Sequence, residues 1–107
     1  MYARNVALRL KPNTLADFSK AFDTHILPIL RKQKGFQDEI TFAMAGGTDV
    51  VAISLWDTKE NAEAYSVSGY PEVLKSLVTF LDRTPKVRVS DVISSTLQKG
   101  AAALVSG

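Results

Sequence analysis

Val50-Val51-Ala52-Ile53-Ser54-Leu55-Trp56-Asp57, running on into Thr58-Lys59-Glu60-Asn61-Ala62-Glu63-Ala64-Tyr65, is the stretch on which the fold turns. Its β-branched and aromatic residues suit the pleated, half-buried surface of a strand. They give way at once to an Asp-x-x-Glu helix start at Asp57 or Thr58. Val51, Ile53 and Leu55 alternate with Val50, Ala52 and Trp56, so the strand is apolar on both faces. Such a strand belongs in the middle of a sheet.

Upstream, Phe36, Ile40, Phe42 and Met44 alternate with Gln37, Glu39, Thr41 and Ala43, the period of a second strand. Gly46-Gly47-Thr48-Asp49 is a turn short enough to return the chain antiparallel. Before this hairpin, Leu15, Phe18, Phe22, His25, Ile26 and Ile29 fall on one face at about 100° per residue, which predicts an amphipathic helix from Thr14 to about Lys34. Thr14 and Asp17 approximate a capping box, and Gly35 supplies the stop. Pro28 removes the hydrogen bond to the Thr24 carbonyl, so a kink is expected near residues 24–28. At the start of the chain, Val6, Leu8 and Leu10 alternate with Asn5, Ala7 and Arg9 in a strand from Tyr2 to Leu10.

Downstream, Ser66-Val67-Ser68-Gly69 breaks the second helical region, and Pro71 opens a new helix with an apolar stripe of Val73, Leu74, Leu77, Val78 and Leu81. Thr84-Pro85 ends it, and Val87, Val89 and Ile93 mark a fourth strand within Lys86 to Leu97. Residues 98–107 carry no strand period and read as a C-terminal tail on a domain of residues 1–97. The expected fold class is therefore α+β: a ferredoxin-like βαββαβ chain with a four-stranded antiparallel sheet and its helices on one face.

Composition narrows the function. At 107 residues the chain makes one domain, with too little mass to cover a sheet on both faces, so a second copy is expected to seal the open face. No apolar run approaches the roughly 20 residues of a membrane helix, and the first residues do not read as a secretory signal; a cytoplasmic location is expected. Zero cysteines and one histidine argue against a protein-ligated metal. The 13 basic residues are scattered among 11 acidic ones without a basic stripe, which argues against nucleic acid.

Three segments carry a family resemblance: Leu8-Arg9-Leu10-Lys11-Pro12, Leu27-Pro28-Ile29-Leu30-Arg31-Lys32-Gln33-Lys34-Gly35-Phe36, and Ser54-Leu55-Trp56-Asp57 followed by Glu60-Asn61-Ala62-Glu63-Ala64-Tyr65. Together they resemble the antibiotic biosynthesis monooxygenase-like domains of the dimeric α+β barrel superfamily. The resemblance implies a homodimer built through sheet faces, a small-molecule ligand between helices and sheet, and cofactor-independent oxygenation of small aromatic or quinol-type substrates. Its haem-degrading members use an Asn on strand one with a Trp and a His on the second helical region. Here the Trp position falls on Tyr65 and the His position on Lys75, so haem degradation is disfavoured.

Candidate catalytic residues are His25, the only histidine of the chain, and Tyr65. Candidate substrate-binding residues are Asn5, Phe22, Trp56 and Tyr70. Four of these have a structural alternative: His25 as a core histidine bonded to a backbone carbonyl, Trp56 as scaffold under a helix, and Tyr65 and Tyr70 as half-buried packing. The alternative to catalysis is a non-catalytic homodimer that binds a small apolar metabolite.

Overall fold

In the computed structural model, which describes residues 1–97, β3 (Asp49–Trp56) runs between β1 (Tyr2–Arg9) and β2 (Phe36–Ala43). On the far side of β1 lies β4 (Lys86–Asp91). All pairings are antiparallel, and the order β2-β3-β1-β4 is the ferredoxin-like arrangement. The C-terminal tail, 98–107, lies outside the described residues.

Two helical segments cover one face. The first comprises α1 (Leu15–Ala21), a π-helical turn (Phe22–Ile26) and α2 (Leu27–Arg31). The second comprises α3 (Lys59–Ser68) and α4 (Tyr70–Leu77), followed by a 3-10 turn (Val78–Phe80). Phe18, Phe22, Ile26, Tyr65, Val73 and Leu77 from these segments pack with Tyr2, Leu8, Val50 and Trp56 of the sheet in a single core. Thr58 caps α3 by accepting from the Asn61 amide at 3.1 Å. Thr14 makes no such cap; its hydroxyl donates back to the Lys11 carbonyl at 2.7 Å.

The first helix departs from the even α-helical wheel, and the departure moves His25. Pro28 offers no amide, and the chain accommodates it by a π turn in which the Leu27 amide reaches the Phe22 carbonyl. Pro28 then stands in the first turn of α2, where no donor is needed. A π turn holds one extra residue in its hydrogen-bonded ring, so each residue advances the helix by less than the α-helical ~100°. This keeps Phe18, Phe22, Ile26 and Leu30 buried at a strict spacing of four, where a uniform α-helix would drift by about 40° at each step. The same slippage carries His25 off the buried face, and it is exposed. The expectation that His25 centres that face, as ligand or as core histidine, is corrected.

A second irregularity lies in β2. Its register with β3 shifts between Phe36 and Asp38, a bulge that breaks the strand's period. Phe36 therefore packs edge-on against Trp56, with ring centroids 5.6 Å apart. Beyond the bulge, Ile40 and Phe42 pair with Ile53 and Val51 on the open face of the sheet, and Glu39 and Thr41 pair with Ser54 and Ala52 on the helix side. The polar half of the strand, not the apolar half, looks inward.

Candidate functional site

The helix-side face of β1 is formed by alternate residues. Tyr2, Arg4 and Leu8 are buried and Val6 is half-buried, while Asn5, Ala7 and Arg9 turn to the other face. Arg4 is only 5% exposed. Its guanidinium carbon sits 5.3 Å from the Tyr65 ring centroid and 4.8 Å from that of Tyr70, within cation–π range of both. Tyr65 reaches it from α3 and Tyr70 from the start of α4.

The aromatic frame behind Arg4 is tightly organised. Tyr65 stacks on Trp56 with centroids 4.8 Å apart, and the Trp56 indole N–H donates to the Ser54 hydroxyl at 2.9 Å. Gly69, which joins α3 to α4, makes this stack possible: a Cβ there would lie 2.8 Å from the Tyr65 ring. The sequence break is thus a packing requirement as well as a helix stop.

Arg4, Ser54, Tyr65, Tyr70 and Glu39 contribute the polar lining of a cavity between helices and sheet, and Phe22, Ile26, Ala52 and Leu77 are among its apolar walls. It encloses about 40 Å³, room for a few water-sized groups. A wider groove of about 370 Å³ adjoins it, sharing Phe22 and Glu39 and lined further by Leu15, Phe18, Thr41 and Val50.

Desolvation sets the charge states here. Burial holds the Arg4 guanidinium below its usual range, offset in part by the neighbouring phenols. Burial pushes the Tyr65 phenol well up, outweighing the opposing pull of Arg4, and raises Tyr70 in the same way. Both tyrosines are therefore hydrogen-bond donors at neutral pH, not bases. Burial also raises the Glu39 carboxyl, although the Thr41 hydroxyl donates to it and favours the charged form.

Glu39 accordingly links pH to stability. The folded state keeps its proton above the ordinary value of 4.5, so it binds more protons than the unfolded chain and stability falls as pH rises through that window. Glu39→Gln removes the loss. Thermal melts of the variant and the natural protein should coincide near about pH 4, with the variant the more stable at about pH 7; a variant less stable at neutral pH would show that the carboxylate is favourably bound.

Of the residues singled out from the sequence, Phe22, Tyr65 and Tyr70 meet in the cavity. Trp56, fully buried, stands behind Tyr65 and outside the lining. Asn5 lies across the sheet, opposite Ile53 and Arg88 on the open face, so its expected place in the pocket is corrected. Arg4 and Glu39 were not anticipated. Arg4 shares the parity of Val6 and Leu8, and extending that alternation by one step would have found it; Glu39 was hidden by the bulge.

No family model matches the sequence, and no curated protein matches it. Solved structures do match. A monooxygenase of Streptomyces coelicolor in complex with nanaomycin D superposes with a TM-score of 0.75 at 17% identity, covering 88% of each chain. The fold is that of the antibiotic biosynthesis monooxygenase-like proteins. SnoaB, a cofactor-independent oxygenase from Streptomyces nogalater, matches with a TM-score of 0.73 at 12% identity over 89% of this chain and 95% of its own. A protein of unknown function from Nitrosomonas europaea gives 0.74 at 16% identity over 89% of this chain and 91% of its own. At these identities the likeness is one of antibiotic biosynthesis monooxygenase-like architecture, and activity must be argued from the cavity.

Proposed function

We propose that this protein is a cofactor-independent, monooxygenase-like enzyme acting on a small aromatic or quinol-type substrate whose oxygen is held between Arg4, Tyr65 and Tyr70 while its ring lies in the adjoining groove. The observation that supports it is the buried guanidinium flanked by two protonated phenols. Such a group stabilises a phenolate or enolate, the electron-rich form in which a substrate can itself reduce dioxygen. Glu39 is the carboxylate positioned to take the substrate's proton, and Tyr65 donates to the resulting oxyanion. One oxygen atom then enters the substrate carbon as a carbonyl and the other leaves as water, with the substrate supplying all the electrons. His25, exposed and outside the cavity, has no part in this scheme.

A store for an apolar metabolite fits less well. Burying a cation and a carboxyl costs free energy that an apolar ligand does not return. The homodimer belongs to the same proposal: Ile40 and Phe42 are 57% and 42% exposed on the open face, beside Val51, Ile53 and Leu55, and a second copy packed sheet to sheet would cover them.

Oxygen uptake with hydroquinones and naphthols is the test. Turnover above the buffer rate is expected, lost in Arg4→Gln and kept in His25→Ala. Uptake no faster than buffer with every such substrate would rule the activity out.

A further inference from the structure

We infer that the cavity recognises an acid, taking a small anionic oxygen head against Arg4 while an apolar, ring-bearing body lies in the adjoining groove. This deepens the reading above by naming the substrate class. It rests on the same ligand cavity but not on the oxygen chemistry.

The charge balance is the first observation. The Arg4 Nε–H is buried and has no acceptor among the described residues. Both ion pairs among them, Arg9 with Asp49 and Lys59 with Glu63, lie elsewhere. Buried charges are normally paired, because an uncompensated one is strongly unfavourable. The faces of Tyr65 and Tyr70 compensate part of this cost. A carboxylate or phenolate oxygen supplies the remainder through a charge-assisted hydrogen bond, and guanidinium geometry suits it.

Size and lining decide the rest of the ligand. The inner cavity of about 40 Å³ admits a carboxylate-sized head and excludes a ring. The groove of about 370 Å³ has the capacity of a small-molecule site. The two share Phe22 and Glu39, so head and body meet at that neck. Leu15, Phe18, Phe22, Ala43 and Val50 give the groove apolar walls, which suit an aryl or alkyl body. Ser19, Asp23, Glu39 and Thr41 line its polar side, and the two carboxyl groups disfavour a second negative charge. A bare inorganic anion would leave those walls unused.

The test is calorimetric titration of the full chain with phenylbutyrate and with its uncharged isostere phenylbutyramide, neither of which needs oxygen to bind. The acid is expected to bind at least about tenfold tighter than the amide, the difference made by one charge-assisted hydrogen bond. The Arg4 Nε resonance should shift on adding the acid. In Arg4→Gln the preference should disappear, and Arg4→Lys should recover part of it. Equal affinity for acid and amide, binding of neither, or an acid preference that survives Arg4→Gln would overturn the inference. Should Arg4→Gln fail to fold, the wild-type comparison and the Nε shift still decide. Acid selectivity without oxygen uptake would leave this inference standing and remove only the oxygenase reading.

Discussion

Arg4→Met should make the protein more stable while removing its selectivity for acids. The guanidinium lies in the core face of β1 with an unpartnered Nε–H, and a thioether of similar length fills the same space beneath Tyr65 and Tyr70 without the desolvation penalty. Replacing even a buried ion pair by well-packed apolar groups is often neutral or stabilising by about 1–4 kcal/mol, and Arg4 has no ion-pair partner to lose among the described residues. Since the tyrosine faces already offset some of the penalty, the lower part of that range, about 1–2 kcal/mol, is expected here. For a domain of this size that corresponds to a rise of roughly 5–10 °C in Tm. A calorimetric scan of the two proteins settles it. A fall in Tm would show that Arg4 is held as a net structural contact, and the desolvation penalty assigned to it would fail.

Ile53→Asp should have the largest effect on assembly. Ile53 pairs with Ile40 on one side and Asn5 on the other, at the centre of the open sheet face. If a second copy packs there, the substitution places a carboxylate in an apolar interface twice, once from each chain. Each unpaired buried charge costs several kcal/mol, enough to raise the dimer dissociation constant by on the order of a thousandfold. Analytical ultracentrifugation of the natural protein should find a dimer and of the variant a monomer or an unfolded chain. A natural protein that sediments as a folded monomer would remove the dimer from the proposal.

Much of the fold was legible because its signals are local. The period-two runs of β1 and β3, the glycine-rich turn after β2 and the helix start at Thr58 depend on residues near one another in the chain, and together they leave few topologies for so short a domain. Tyr65 and Tyr70 stood out for a similar reason, since they flank the Ser66–Gly69 segment expected to break the helix; α3 in fact runs on through Ser66, Val67 and Ser68, and only Gly69 separates it from α4.

The site was legible only in part, because two backbone irregularities set its membership. Pro28 announces that the first helix must deform, but whether it does so by a bend or a π turn depends on how Phe18, Phe22, Ile26 and Leu30 meet the sheet; the π turn excluded His25. The bulge between Phe36 and Asp38 depends likewise on β3, and it sent Glu39 inward and Ile40 outward. Composition and periodicity thus settle the class of the fold, its element order and the two faces of β1 and β3, since these follow from neighbours within about four residues. Which face meets the helices, and which lone charge is enclosed there, follows from packing between segments far apart in the chain. Arg4, Tyr65 and Tyr70 come together only because β1 and the α3–α4 junction are pressed into one layer by a core that no single segment contains.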